Sequence, residues 1–194
     1  MGCTDSVSPF CQLPTDKWQW HPSPLAGQIV YVTTRSDAGE VNLAPKSWVS
    51  MAAFHGPIIG FGCSRQHQTY TNATATGMFT INFPTAEQAG RAAQVADAPR
   101  EFRLRASGLS LDGVRTSGVP HLRECPAYME CHLVKSVEFD GGETFLFGKI
   151  DVIAIHRELS SLPIEEAYAR LAPAFFCEPG VIGELRPLTT TTIR

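Results

Sequence analysis

Short runs rich in β-branched and aromatic residues follow one another along this chain with little but tight turns between them. That arrangement limits the possible folds more than any other feature. Residues 28–34, QIVYVTT, alternate and are β-branched, which predicts a strand. Asp37-Ala38-Gly39 is a hairpin turn signal, and residues 40–43 return as a second strand. Residues 48–53 predict a third strand. Residues 58–63, IIGFGC, predict a fourth, apolar enough to be buried on both faces. Residues 78–83, MFTINF, predict a fifth, and residues 128–139 and 144–156 predict two long strands around the turn Asp140-Gly141-Gly142. Strands joined by hairpins, with few helices between, argue for an antiparallel sheet closed into a small barrel and against a doubly wound sheet. The fold class is mainly β with flanking helices.

The helices are few. Residues 69–76 form a short one, with Ser64 or a neighbour as its cap and Gly77 as its stop. Thr85 and Gln88 are spaced as a capping box, opening a helix to about residue 97 with an alanine-rich face of Ala86, Ala89, Ala92, Ala93 and Ala96. That face suits close packing on a sheet. Residues 98–124 read as irregular, with a short helix near 100–105. Residues 161–171 predict a last helix with Pro163 in its first turn. The expected organisation is an extended N-terminal arm over residues 1–24, a barrel domain over 25–160, and a C-terminal helix and extended tail over 161–194. Pro9, Pro14, Pro22 and Pro24 deny the arm a regular ladder, while Trp18 and Trp20 argue that part of it packs.

Composition removes several functions. The 194 residues carry a net charge of −3 with no basic run, so a nucleic-acid footprint is absent. The apolar runs are too short to span a bilayer, and a signal-peptide pattern is lacking. The six cysteines form no CxxC pair, read as free thiols, and suit a cytoplasmic protein. His121, Cys125, Cys131 and His132 can be drawn as a zinc set, but Cys131 and His132 are neighbours in a strand and face opposite sides. No metal site is expected, and with no nucleophile elbow no catalytic side chain is nominated.

The chemistry concentrates between residues 42 and 69. Residues 42–48, NLAPKSW, read as a loop that offers amides and hydroxyls beside apolar surface, the mixture a flat amphipathic ring needs. Residues 64–69, SRQHQT, stand where a helix should begin. Free N–H groups, the hydroxyls of Ser64 and Thr69 and the forked guanidinium of Arg65 suit a small dianion such as a phosphate ester. Arg65 as a solvated surface residue is the plain alternative. Asn82, polar within an apolar strand, either supports the adjacent loop or satisfies backbone groups. Trp48 is either a ring contact or a core aromatic.

IVYVTT (29–34), GEVNLAPKSW (39–48), the segment 56–84 that begins GPIIGFGCSRQHQT, and PAYMECHL (126–133), in this order and spacing, resemble the flavin reductase-like family, the FMN-binding split barrels that include flavoredoxin. The resemblance covers roughly residues 25–156. It implies a Greek-key split barrel of about six antiparallel strands and a homodimer with flavin at the interface. It also implies FMN as cofactor and NAD(P)H as a possible co-substrate. The matching positions make Asn42, Leu43, Ala44, Pro45, Lys46, Ser47 and Trp48 the flavin loop. Cys63, Ser64, Arg65, His67, Thr69 and Asn82 complete the cofactor-binding set, with Cys63 read as a buried thiol at a strand end. Many relatives have lysine where His67 stands, which implies a weaker or pH-dependent hold on phosphate. Reductases of the family carry an Asp-His pair before the second long strand. Here the turn is Asp140-Gly141-Gly142-Glu143-Thr144, which shifts weight toward the flavoredoxin-like relatives, where FMN relays electrons between proteins. The implied activity is an FMN-binding oxidoreductase that moves electrons between NAD(P)H or a redox partner, such as a monooxygenase, and flavin. A non-enzymatic FMN carrier, a barrel that binds haem, and pyridoxamine-phosphate oxidation remain alternatives.

Overall fold

The computed structural model describes residues 12–20, 22–113, 116–178 and 180–185. Cys3, Cys11 and the Thr189–192 tail therefore lie outside the described residues, as does much of the expected arm.

Seven strands make one antiparallel sheet: β2 (Val30–Arg35), β3 (Val41–Lys46), β4 (Val49–Ala53), β5 (Ile58–Ser64), β6 (Met78–Phe83), β9 (Ala127–Glu138) and β10 (Glu143–Ile155), in the order β3-β2-β6-β9-β10-β5-β4. They correspond to the seven runs read as strands, where the family resemblance implies about six. β3 carries the second run, read as residues 40–43, on through Lys46 into the segment read as a loop. Pro45 obscured that extension. A proline has no N–H for the ladder, and β3 tolerates one because it is an edge strand with a partner on one side alone, Tyr31 of β2 standing opposite Pro45.

The sheet curls around Val30, Val32, Ile59, Phe61, Phe79, Ile81, Cys131 and Leu146, all buried. Phe61 and Phe79 meet edge to face at 5.2 Å. Gly148 makes that packing possible, since a Cβ there would lie 2.3 Å from the Phe79 ring. β2 is buried on its other face too. Tyr31 packs there with Leu43, Val95, Leu122 and Cys125, and its hydroxyl donates to the Gln88 carbonyl at 3.0 Å.

The cover on that face comes from α2 (Ala86–Ala89), α3 (Ala92–Asp97) and α4 (Arg103–Ser107). The predicted capping box forms: Thr85 Oγ1 accepts from the Gln88 amide, and Gln88 Oε1 accepts from that of Thr85. The single helix expected from it is broken at Gly90 and Arg91, where a residue of poor helix propensity lets the chain turn. α1 (Gln68–Thr76) ends at Gly77, whose φ of 71° is the left-handed conformation of a helix stop. A short pair, β7 (Leu111–Asp112) and β8 (His121–Leu122), interrupts the stretch read as irregular. The C-terminal part is more ordered than an extended tail. After α5 (Arg157–Ser160) and α6 (Ile164–Leu171), β11 (Ala174–Glu178) and β12 (Val181–Glu184) form a hairpin that pairs with β1 (Gly27–Gln28). Among the described residues no helix is long and apolar enough to cross a membrane.

Candidate functional site

The end of β3, the end of β5 and the β9–β10 turn meet beside a segment of the N-terminal arm. They enclose a cavity of about 470 Å³ lined by Trp18, Pro45, Lys46, Ser47, Trp48, Gly62, Cys63, Ser64, His67, Phe139, Glu143, Thr144 and Phe145. This falls within the ~300–1,000 Å³ range of small-molecule sites. Four rings wall it, and hydroxyls, a thiol and two basic groups gather toward one end.

The ribbon from Pro45 to Trp48 is set by backbone packing. The Gly62 amide donates to the Trp48 carbonyl at 2.9 Å, and the Trp48 ring lies on Gly62, where a Cβ would sit 3.0 Å from it. Beneath, the Ser47 carbonyl oxygen fills the space a side chain at Gly27 would need, 1.8 Å from an ideal Cβ. Gly27 thus positions the site. The sequence held a signal for it only as a glycine beside a strand.

The corner at 63–67 is a turn that uses much of its own hydrogen-bonding capacity. The Gln66 amide donates to Ser64 Oγ, the His67 amide to the Ser64 carbonyl and the Arg65 amide to the Gly142 carbonyl. The free amides expected there therefore reduce to those of Gln68 and Thr69 in the first turn of α1. Arg65 does not line the cavity. Its guanidinium turns outward to Glu138 at 2.9 Å, with the Tyr70 hydroxyl donating to the same carboxylate. The cation inside is Lys46, whose Nζ stands 3.2 Å from His67 Nδ1, with Cys63 Sγ 3.9 Å from that same nitrogen. Partial burial pulls both the Lys46 ammonium and the His67 imidazole below their usual pKa ranges, and for His67 the charge on Lys46 and then Arg103 adds to the effect. Burial pushes the Cys63 thiol up, against the opposing pull of Lys46.

The remaining sequence-picked residues sit behind the wall. Leu43 and Ala44 are buried, Leu43 in the core under α3. Asn42 Nδ2 donates to Thr69 Oγ1 at 3.2 Å and ties β3 to α1. Asn72, which sequence reasoning missed, extends this tie: it accepts from Gln68 Nε2 and donates to Thr34 Oγ1. Asn82 donates to the Tyr31 carbonyl at 3.0 Å and accepts the Leu122 amide at 2.7 Å, so it satisfies backbone groups in the core. The alanine face of α3 closes on the sheet only in part, Ala92 packing against the buried clusters around Tyr31 and Ile29. Ala92, Ala93 and Ala96 line a neighbouring cavity of about 440 Å³ that shares Trp18, Pro45, Lys46, Ser47 and Trp48 with the first. Lys17 closes this region, its ammonium 5.0 Å from the Trp18 ring, 5.5 Å from Trp48 and 5.2 Å from Phe176.

The cavity offers aromatic walls for a flat ring and, at the far end, basic nitrogens and a hydroxyl for a dianion.

The flavin reductase like domain matches residues 23–171. An uncharacterised protein of Halalkalibacterium halodurans is 27% identical over 148 residues, 70% of this chain and 69% of its own length. The Bacillus subtilis protein YwrF, also uncharacterised, is 25% identical over 158 residues, 76% of this chain and 74% of its own. Among solved structures, nitrilotriacetate monooxygenase component B from Bacillus cereus superposes with a TM-score of 0.81 at 19% identity, covering 98% of this chain and 100% of that one. Flavoredoxin of Desulfovibrio vulgaris superposes at 0.76 and 18% identity, covering 87% and 92%. These two likenesses speak for the fold, a split barrel. The match to the family model over most of the chain shows that this protein belongs to the flavin reductase-like family of flavin-related oxidoreductases.

Proposed function

We propose that the protein is an FMN-binding oxidoreductase that passes electrons between NAD(P)H or a redox partner and flavin. The observation that carries this reading is the cavity itself: one continuous space joins the aromatic ribbon 45–48 to the basic corner 63–67. Trp48, Phe139 and Phe145 would flank the isoalloxazine ring, Ser47 would meet its polar edge, and Ser64, His67 and Lys46 would hold the phosphate, with Arg65 on the outer wall. Bound FMN would supply the redox chemistry; the protein would supply position, an apolar wall and exclusion of water.

Exposed Trp18, Leu25, Trp48, Met51, Phe54 and Phe139 leave apolar surface around the cavity and the neighbouring β4 edge. That surface supports a homodimer with flavin near the interface. The B. cereus neighbour is named as one component of a monooxygenase, which supports a monooxygenase or other electron-transfer protein as partner. A second reading, a carrier that never meets NAD(P)H, is favoured by the β9–β10 turn, which brings Glu143 and Thr144 to the cavity and no histidine.

The test is an absorption spectrum of the purified protein, followed by stopped-flow mixing with NADH and NADPH. Flavin that stays bound through dialysis and is reduced by either nucleotide supports the oxidoreductase. Bound flavin that neither nucleotide reduces supports the carrier. A protein that binds no flavin sinks both.

A further inference from the structure

Lys46 and His67 face each other from different elements, β3 and the start of α1, with Nζ and Nδ1 3.2 Å apart. Two nitrogens at that distance cannot both point a proton along the line between them. At that separation one donates and the other accepts, so the facing pair carries one positive charge and shares the proton between its two nitrogens. Lysine is much the stronger base. Lys46 therefore donates and His67 stays neutral, its remaining proton on Nε2. Around the pair stand the Cys63 thiol from β5, held neutral by burial, Arg103 from α4, whose charge acts on His67, and Glu143 from β10 across the cavity. Arg65 is already neutralised by Glu138.

The geometry points to a proton-linked receptor for a phosphate dianion: Lys46 and His67 share one proton when empty and carry two when a phosphate monoester binds. This rests on the flavin reading of the cavity and deepens it. An arriving dianion reverses the balance at His67. Two negative charges favour protonation of Nδ1, and both nitrogens then turn their hydrogens to phosphate oxygens in place of each other. The proton comes from solvent and no covalent bond changes. Selectivity for phosphorylated flavin thus becomes a function of pH. It is strong where His67 can take up a proton and weak where it cannot.

The experiment compares FMN with riboflavin, which has the ring and no phosphate. Both are titrated by fluorescence quenching against the full chain between pH 7 and 9, where the phosphate stays dianionic. Proton uptake is read by calorimetry in two buffers of different ionisation enthalpy. The expected result is a preference for FMN over riboflavin that falls at least fivefold across this range, with proton uptake for FMN and none for riboflavin. Lys46→Met and His67→Gln should lower the preference at pH 7 and flatten its pH profile. His67→Lys, protonated throughout, should keep the preference at pH 9. A constant FMN-to-riboflavin ratio across pH, or profiles that neither variant alters, would overturn the proton linkage while leaving the flavin site intact. Failure of the wild type to bind either ligand would overturn the site and the linkage together.

Discussion

The two ends of the cavity are held in different ways. The ribbon at 45–48 is fixed by shape: a carbonyl over Gly27, a ring on Gly62, and Pro45 in register with Tyr31. The corner at 63–67 is fixed by turn hydrogen bonds, and its His67 faces the Lys46 ammonium that reaches over from the ribbon, the two depending on each other for a proton. Apart from that ammonium, the ribbon should therefore be intolerant of added volume and indifferent to pH. The corner should tolerate modest changes of shape and respond to pH and to ligand charge.

Gly27→Ala should give the largest effect. The group in the way is a backbone carbonyl, which cannot swing aside, so the ribbon has to move. A loss of about 1–3 kcal/mol in unfolding free energy is expected, read by urea denaturation. Affinity for FMN and riboflavin should fall together. Unchanged binding of both would mean that the ribbon is less confined than its packing indicates.

Trp48→Ala comes next. The ring is partly exposed, lies against Gly62 and takes one of the three contacts with Lys17. Its removal should cost about 0.5–1.5 kcal/mol in affinity, the scale of an aromatic contact, equally for FMN and riboflavin and at every pH. A loss confined to FMN would transfer Trp48 from the ring end to the phosphate end.

Much of this division was legible before any coordinates. Gly, Asp and Pro punctuation between β-branched runs marks the turns, and the long β9–β10 hairpin follows from Asp140-Gly141-Gly142. What was not legible was direction. Arg65 and Lys46 are both cations near a polar turn, and linear sequence ranks the arginine first because it adjoins a helix start. Side-chain direction depends on the neighbouring strand. Glu138, far along the chain, lies on the outer side and draws Arg65 out, while the edge position of β3 lets Lys46 turn in. Nor does sequence reveal that Asn82 serves backbone groups, because its partners Tyr31 and Leu122 are distant in the chain.

A smaller effect concerns the ligand-free protein in acid. The pKa of His67 is lowered in the folded state, by desolvation first and then by Lys46 and Arg103. The unfolded chain, with an ordinary histidine near pH 6.5, binds this proton more readily. The contribution of His67 to stability is therefore present above that pH and is lost as pH falls through the window below it. Between pH 7 and 5, wild-type apoprotein should lose more of its melting temperature than His67→Gln. A phosphorylated flavin should reduce the difference. Parallel melting curves for the two proteins would show that the ring is solvated too well to feel its neighbours.

Arg65→Ala should do least. The guanidinium and its partner carboxylate are each about half exposed, at 46% and 51%, and pairs of this kind contribute about 0–1 kcal/mol. The Arg65 amide that holds the β9–β10 turn survives the substitution, since it is main chain. Stability and riboflavin affinity should stay within about 0.5 kcal/mol of wild type. FMN affinity should fall only slightly, through the loss of one distant, compensated charge. A drop in FMN affinity as large as that of Lys46→Met would mean that Arg65 leaves Glu138 and swings inward when phosphate arrives. The division between an outer and an inner cation would then not survive phosphate binding. Glu138→Gln separates the cases: freed from its partner, Arg65 should then strengthen FMN binding if it can reach the phosphate and leave it unchanged if it cannot.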